Sequence, residues 1–180
     1  TTLESYSRPR ANGIIALGLR EDDRLIRVTL TDGNSQMLVA SHNGKVVRFP
    51  EDTVRPMGRT ATGVRAIKLD EDGKDRVIGM ICVEEGSKES VLVISEKGFG
   101  KRTDLDDENG EPIYRVTNRG GKGVKTMNLT DKTGNLIGLE AVTDDQDLML
   151  ITKSGTAIRM AMSAISVLGR ATQGVRLINL

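Results

Sequence analysis

The sequence has little of the chemistry on which disulfide-bonded, metal-binding and membrane proteins depend. It contains one cysteine, Cys82, and one histidine, His42, which excludes an internal disulfide and a cysteine–histidine zinc cluster. His42 stands beside Asn43-Gly44 and is interpreted as a polar turn residue. No stretch approaches the roughly 20 apolar residues of a membrane-spanning helix, and no signal peptide opens the chain. A cytoplasmic location with no membrane partner is therefore expected.

Aromatic residues and catalytic patterns are also scarce. There is no Trp, and Tyr and Phe occur twice each, which is poor material for stacking unpaired bases. The sequence shows no Ser-His-Asp spacing, no paired-carboxylate motif and no metal-ligand cluster. Acidic residues at 22–23, 70–72 and 144–145 recur at turns, so they are interpreted as solvated turns and not as magnesium ligands. The sequence predicts no catalysis and no cofactor of its own.

What the sequence does contain is a threefold repeat. Residues 58–65 read GRTATGVR and residues 169–176 read GRATQGVR, while residues 118–125, NRGGKGVK, keep the Arg, the second glycine, the Val and a basic residue after it. Upstream of each lies an apolar run, a tight turn with a glycine, and another Arg. Self-similarity at a fixed period indicates a repeat architecture. The turn glycines are Gly44, Gly98 and Gly155.

Short aliphatic or β-branched runs bounded by turn residues predict about four strands per repeat. Residues 161–168 have helical propensity, but the equivalent residues 50–57 contain two prolines, so we interpret both as connections with at most a single helical turn. The predicted strands are Leu25–Leu30, Met37–Ala40, Lys45–Phe49, Val64–Leu69, Arg76–Val83, Val91–Ser95, Val124–Leu129, Leu136–Val142, Leu148–Thr152, Thr156–Met160 and Val175–Leu180.

Four strands in a repeat of roughly 50 residues are typical of a β-propeller blade. The predicted fold is therefore all-β and propeller-like. Its domain organisation is a partial blade at 1–19 and blades at 20–69, 70–129 and 130–180, the second with an acidic insertion at 106–111. Because a ring needs about four to eight blades to close, three complete copies predict an incomplete ring, which we expect to be an excerpt of a longer array.

Charge is distributed unevenly although the net charge is only +1. Segments 44–69, 98–129 and 155–180 together carry a net +8, whereas the segments between them carry a net −8. Equivalent positions of stacked modules lie on equivalent faces, so the fold should carry a basic band. Solubilising surface charge without a ligand is the alternative interpretation.

An Arg beside a repeated glycine is suited to phosphate, because its planar fork matches two phosphate oxygens and the glycine lets backbone N–H groups approach. A periodic row of such residues fits duplex DNA better than a nucleotide. An acidic protein docked on the same basic rim of an interaction propeller is the alternative. The predicted DNA-binding residues are Lys45, Arg48, Arg59, Arg65, Lys101, Arg102, Arg119, Lys122, Lys125, Arg159, Arg170 and Arg176.

The segments 55–65, 114–123 and 169–176 resemble the repeats of the DNA gyrase A C-terminal domain, and the resemblance spans essentially the whole chain. The related domain of topoisomerase IV is similar but more degenerate, and it remains an alternative. The resemblance implies a six-bladed β-pinwheel with hairpin exchange between neighbouring blades. It also implies that double-stranded DNA wraps around the basic rim, with the remainder of gyrase A and with gyrase B as partners, and with ATP and magnesium needed only by the whole enzyme.

One departure from the family concerns its box motif, Gln-Arg-Arg-Gly-Gly-Lys/Arg-Gly, which lies in the first blade. Residues 117–123, TNRGGKG, keep only the second half of that motif, in a later blade. The resemblance therefore implies that the full box lies upstream of Thr1. We expect this chain to bind and bend duplex DNA without the stable wrap of a whole domain.

Overall fold

The computed structural model describes residues 1–71 and 73–180, and these form β-strands, turns and three short 3₁₀ turns at Leu3–Tyr6, Glu51–Thr53 and Met162–Ala164. Asp72, which the sequence places in an acidic turn, lies outside the described residues. The strands are β1 (Gln36–Ser41), β2 (Lys45–Pro50), β3 (Val77–Val83), β4 (Ser90–Ser95), β5 (Phe99–Asp104), β6 (Val124–Lys125), β7 (Leu136–Val142), β8 (Asp147–Ile151), β9 (Ala157–Ala161) and β10 (Val175–Arg176).

Three antiparallel hairpins, β1–β2, β4–β5 and β8–β9, form the framework. Each turns at a glycine with positive φ, +78° at Gly44, +75° at Gly98 and +88° at Gly155, a conformation that glycine adopts without steric cost. In each turn the glycine N–H donates a 3.0 Å hydrogen bond to the carbonyl three residues earlier. The predicted equivalence of the three turns is confirmed.

Each of the first two hairpins is completed by strands from the next repeat. One four-stranded sheet has the order β3-β1-β2-β6 and the other β10-β5-β4-β7. In the first, β3 pairs with β1 from Gln36↔Val83 to Ser41↔Val77, with an irregularity after Ala40. β7 pairs with β4 in the same way. Because each sheet draws strands from consecutive repeats, the blade boundaries 1–19, 20–69, 70–129 and 130–180 stay predictions.

The main core lies between these two sheets. It is formed by aliphatic residues of both, with Phe99, Tyr114 and Met127. Tyr114 is fully buried and its hydroxyl lies 2.7 Å from Thr126 Oγ1, as expected for a phenol that keeps a hydrogen-bond partner in the core. Strands β3 and β7, which pair with the hairpins of the preceding repeats, also approach each other closely: a Cβ built on Gly79 of β3 would lie 3.0 Å from Leu139 Cβ of β7.

The strand predictions differ from the structure in five places. Two predicted strands are shorter than expected, because 124–129 is a strand only over β6 and 175–180 only over β10. Residues 25–30 are not a strand, and their Leu, Ile and Val side chains are 52–75% exposed. The equivalent strands β3 and β7 each pair with the hairpin of the preceding repeat, and no described hairpin precedes residues 25–30. Residues 64–69 contain only an isolated bridge, from Ile67 to Gly121. β5 was not predicted, because its sequence FGKRTD lacks apolar alternation.

The last hairpin, β8–β9, forms a two-stranded sheet, so among the described residues the row of sheets is open. The predicted single helical turn at 161–168 is confirmed as the 3₁₀ turn Met162–Ala164. None of the helices in the described ranges is long and apolar enough to cross a membrane.

Candidate nucleic-acid interface

The three glycine-and-arginine segments 58–65, 118–125 and 169–176, here called glycine loops, lie side by side. Lys68, just after the first loop, donates its N–H to Gly121 O of the second at 2.8 Å. Asn128, just after the second, donates to Thr172 O of the third at 2.9 Å. Gly18 donates to Ala61 O of the first loop at 3.0 Å. A backbone hydrogen bond of the same type therefore joins each loop to the chain segment before it, and the second loop has one more, from Gly120 N–H to Ala66 O at 2.6 Å.

An Arg side chain supports each of these junctions. Arg59 Nη1 donates to Ile15 O at 2.7 Å, Arg119 Nη1 to Arg65 O at 3.4 Å and Arg170 Nη1 to Lys125 O at 2.6 Å. Arg119 is exposed, whereas Arg59 and Arg170 are half-buried. The three guanidinium groups are therefore partly engaged with the protein but remain accessible from the surface.

A second group of cations on the loops is exposed. Within the described residues, the side chains of Arg65, Lys122 and Lys125 form no hydrogen bond or ion pair, so each charge is free to meet a ligand. Arg176 is also exposed; its Nη1 lies 2.8 Å from Asn179 Oδ1 and its guanidinium carbon 5.1 Å from the centre of the Phe99 ring. These four residues present positive charge along neighbouring loops.

Arg48 and Arg102, which the sequence analysis assigned to DNA, are only 5% exposed. Arg48 Nε donates to Gln36 Oε1 at 2.5 Å, and Nη1 donates to Tyr114 O at 3.2 Å and pairs with Asp106 at 3.0 Å. A buried guanidinium whose donors are occupied is not available to a phosphate. We correct the expectation for these two residues, because each is bonded to the repeat that follows it.

Arg102 repeats the arrangement of Arg48. Its Nε donates to Ile165 O at 3.1 Å and its Nη1 pairs with Asp144. Arg159 occupies the same position in the last hairpin, where it pairs with Asp147 of its own hairpin and its side chain is 70% exposed. Lys45 is partly exposed and pairs with Asp70. Arg159 and Lys45 could therefore meet a phosphate only by exchanging an existing carboxylate partner.

Lys101 is buried and is also corrected as a direct DNA ligand. Its Nζ donates to Gly169 O at 2.5 Å, Arg170 O at 2.7 Å and Thr172 Oγ1 at 3.1 Å. Burial, together with the nearby charge of Arg170, lowers the pKa of Lys101 to about 8. Lys101 therefore binds the third glycine loop from the protein interior and does not face the solvent.

Two exposed cations of the same face were missed by the sequence analysis. Arg55 and Arg115 are both exposed and stand four residues before the Arg of their glycine loops, Arg59 and Arg119. Arg115 lines a surface cavity together with Lys122. Arg55 and Arg115 occupy the same position in two repeats, and this recurrence could have identified them. The third repeat has Ser166 at that position, so the pattern is incomplete.

The described residues hold no group of three or more His, Cys, Asp or Glu side chains placed to bind a metal ion. The acidic residues near the loops instead pair with cations, as Asp106 and Asp144 do. The arrangement is suited to binding a polyanion through several cations, with the guanidinium and ammonium groups acting as hydrogen-bond donors.

Comparison with known proteins agrees with this description. A family model described as "DNA gyrase C-terminal domain, beta-propeller" matches residues 1–32, 35–84, 89–143 and 146–180. DNA gyrase A of Staphylococcus aureus, in strains MRSA252 and NCTC 8325 / PS 47, is 46% identical over 180 residues, which is 100% of this chain and 19% of the relative. The chain thus spans about a fifth of the length of these relatives.

Solved structures show the same fold. The C-terminal domain of DNA topoisomerase IV matches with a TM-score of 0.87 and 23% identity over 98% of this chain and 53% of that chain. The DNA gyrase A C-terminal domain matches with a TM-score of 0.80 and 24% identity over 94% of this chain and 55% of that chain. The predicted all-β propeller fold and the resemblance are confirmed: this chain belongs to the family of DNA gyrase C-terminal domains.

Proposed function

We propose that this chain is a non-catalytic DNA-binding module that holds duplex DNA against the glycine loops and bends it. The observation that carries the proposal is the row of exposed cations on adjacent loops. Each cation lies near a backbone turn and none belongs to a catalytic constellation. The proposed phosphate-binding residues are Arg55, Arg65, Arg115, Lys122, Lys125 and Arg176, with Lys45 and Arg159 at the margins of the interface and with Arg59, Arg119 and Arg170 at the junctions between its loops.

The physical argument for duplex DNA is the recurrence of exposed cations on neighbouring loops. Phosphates recur along DNA, and a row of cations that follows them releases condensed counterions without reading bases. The four aromatic residues do not supply a stacking surface for single strands, because Phe49, Phe99 and Tyr114 are buried and only Tyr6 is partly exposed. Bending a 20–30 bp site by 40–90° costs on the order of 1–6 kcal/mol, which several phosphate contacts can offset.

In the whole protein, we propose that this module serves a type IIA topoisomerase. The remainder of gyrase A, together with gyrase B, is the proposed partner, and the proposed role is to present bent or wrapped DNA to the catalytic parts of that assembly during ATP-dependent supercoiling. ATP and magnesium belong to the larger assembly. Membership of the gyrase family supports these assignments, as it supports a cytoplasmic location.

The experiment is a titration of a fluorescent 40-bp duplex with the chain at several salt concentrations. If the interface is correct, affinity falls steeply with salt, and Lys122→Ala lowers the slope of log K against log[salt] by about one unit. Different duplex sequences should bind alike. Arg48→Met serves as the control, because a buried guanidinium should leave the slope unchanged.

Three outcomes would contradict the proposal. In the first, the chain does not bind duplex DNA even at low salt but binds an acidic protein tightly; this result would favour the interaction propeller. The second is a strong preference for one base sequence. The third, strand cleavage by the purified chain without ATP, would contradict the assignment as non-catalytic.

A further inference from the structure

We propose that Arg59, Arg119 and Arg170 are positioning residues that fix the angle between successive repeats and so set the bend of bound DNA. Affinity, in this scheme, comes mainly from the neighbouring exposed cations. The inference rests on the proposed DNA binding for its functional part, but the junctions themselves are properties of the protein alone.

The geometry of the three junctions recurs by position. The carbonyl that accepts from each Arg belongs to the second residue after a glycine with positive φ: Ile15 after Gly13, Arg65 after Gly63 and Lys125 after Gly123. Three successive repeats therefore use the same donor position and the same acceptor position. A solvated Arg selected only for its charge would not need a fixed carbonyl partner.

The Arg bond and the backbone bond act as a pair at each junction. In the middle junction, Lys68 donates its N–H forward to Gly121 O, whereas Arg119 donates backward to Arg65 O. Gly120 also donates its N–H to Ala66 O at 2.6 Å, so backbone bonds hold the chain at residues 66–68 against the second loop. The Arg119 bond adds a further fixed point at Arg65, within the first loop itself, and this point restricts rotation of one loop relative to the next.

Arginine suits this role because its guanidinium group has five N–H donors in a rigid plane. The junction uses one donor of Arg59 and of Arg170, and Arg119 adds a bond from Nε to Thr53 O at 3.2 Å. The remaining donors can still face a phosphate. Lysine in the same place keeps the charge but lacks the planar fork, so an Arg→Lys change separates the positioning role from the charge.

The test uses the triple variant R59K/R119K/R170K, the single variant Arg119→Lys and the charge variant K122A/K125A, with folding of each checked by circular dichroism. Bending is measured by energy transfer between the two ends of a 40-bp duplex at saturating protein. We expect the triple variant to keep its affinity within about threefold and its salt slope unchanged, while losing at least half of the wild-type change in energy transfer. K122A/K125A should show the opposite: a salt slope lower by about two units and a full bend at saturation.

A second measurement needs no DNA. Amide hydrogen exchange of Gly18, Lys68 and Asn128 reports each junction directly, and we expect it to accelerate at least tenfold in the triple variant, with Lys68 alone affected in Arg119→Lys. Wild-type bending by a folded triple variant, or unchanged exchange in both Arg→Lys variants, would overturn the inference. Absence of DNA binding by the wild-type chain would instead refute the proposed function, and the exchange measurement would still decide whether the junctions depend on these arginines.

Discussion

Replacing Arg102 by Met should destabilise the fold far more than the same change at Arg159, although the two residues occupy the same place in their hairpins. Arg102 is 5% exposed and bonded to Ile165 O and Asp144, whereas the Arg159 side chain is 70% exposed and pairs with Asp147. Met keeps most of the aliphatic volume, so the comparison isolates the loss of the guanidinium.

The magnitude follows from what each change leaves behind. Without Arg102, the carbonyl of buried Ile165 loses a partner, and an unsatisfied buried group costs about 1–3 kcal/mol. Asp144 is largely exposed and returns to water, so its ion pair adds at most about 1 kcal/mol. The sum is about 1–4 kcal/mol. The exposed pair of Arg159 should contribute about 0–1 kcal/mol.

Urea denaturation followed by circular dichroism measures both variants. For a chain of this size the Arg102→Met change corresponds to a melting temperature lower by roughly 2–16 °C. DNA binding by the folded Arg102→Met protein should show the wild-type salt slope. The reasoning is wrong if the two variants are equally stable, or if Arg102→Met reduces the salt slope as a phosphate ligand would.

Two further predictions concern Lys101 and the turn glycines. Burial lowers the pKa of Lys101 from 10.5 to about 8, so between those pH values the unfolded chain binds more protons than the folded one. The free energy of unfolding should therefore rise with pH more steeply in the wild type than in Lys101→Met. An equal change in the free energy of unfolding between pH 8 and pH 10 in the two proteins, measured by urea titration, would contradict this. Gly98→Ala should cost more stability than Gly155→Ala, because a Cβ at Gly98 meets Ile178 O at 2.5 Å and one at Gly155 meets nothing within 4 Å. Both changes carry the left-handed strain of about 1–2 kcal/mol, so equal melting temperatures would show that the contact with Ile178 relaxes.

Local chemistry made the hairpins predictable. Glycine with Asn, Lys or Ser before it marks each turn, and the aliphatic runs on either side of Asn43-Gly44 fall on β1 and β2. β5 escaped prediction because its charged residues are buried by partners from the next repeat: Lys101 by the third glycine loop and Arg102 by Ile165 and Asp144. Such burial depends on contacts far apart in sequence, which a local pattern does not contain.

The exposed part of the candidate interface was predicted better than the buried part. Lys122, Lys125, Arg65 and Arg176 are on the surface as expected from their glycine-rich surroundings. Arg48, Lys101 and Arg102 were assigned to DNA because they are basic residues at equivalent or neighbouring places after the turn glycines. Recurrence of a residue in register shows that every repeat needs it, but it does not distinguish a ligand that every repeat binds from a contact that every repeat makes with its neighbour.

The last of the three described hairpins distinguishes these two causes. Arg48 and Arg102 are each buried against a following repeat, through Tyr114 O and Ile165 O respectively. Arg159 has no following repeat among the described residues, and it is exposed. If the position were selected for DNA, its exposure would be similar in all three copies; instead it depends on the presence of a neighbour. Arg48 and Arg102 therefore join repeats, and the exposed charge proposed to meet DNA is concentrated on the glycine loops.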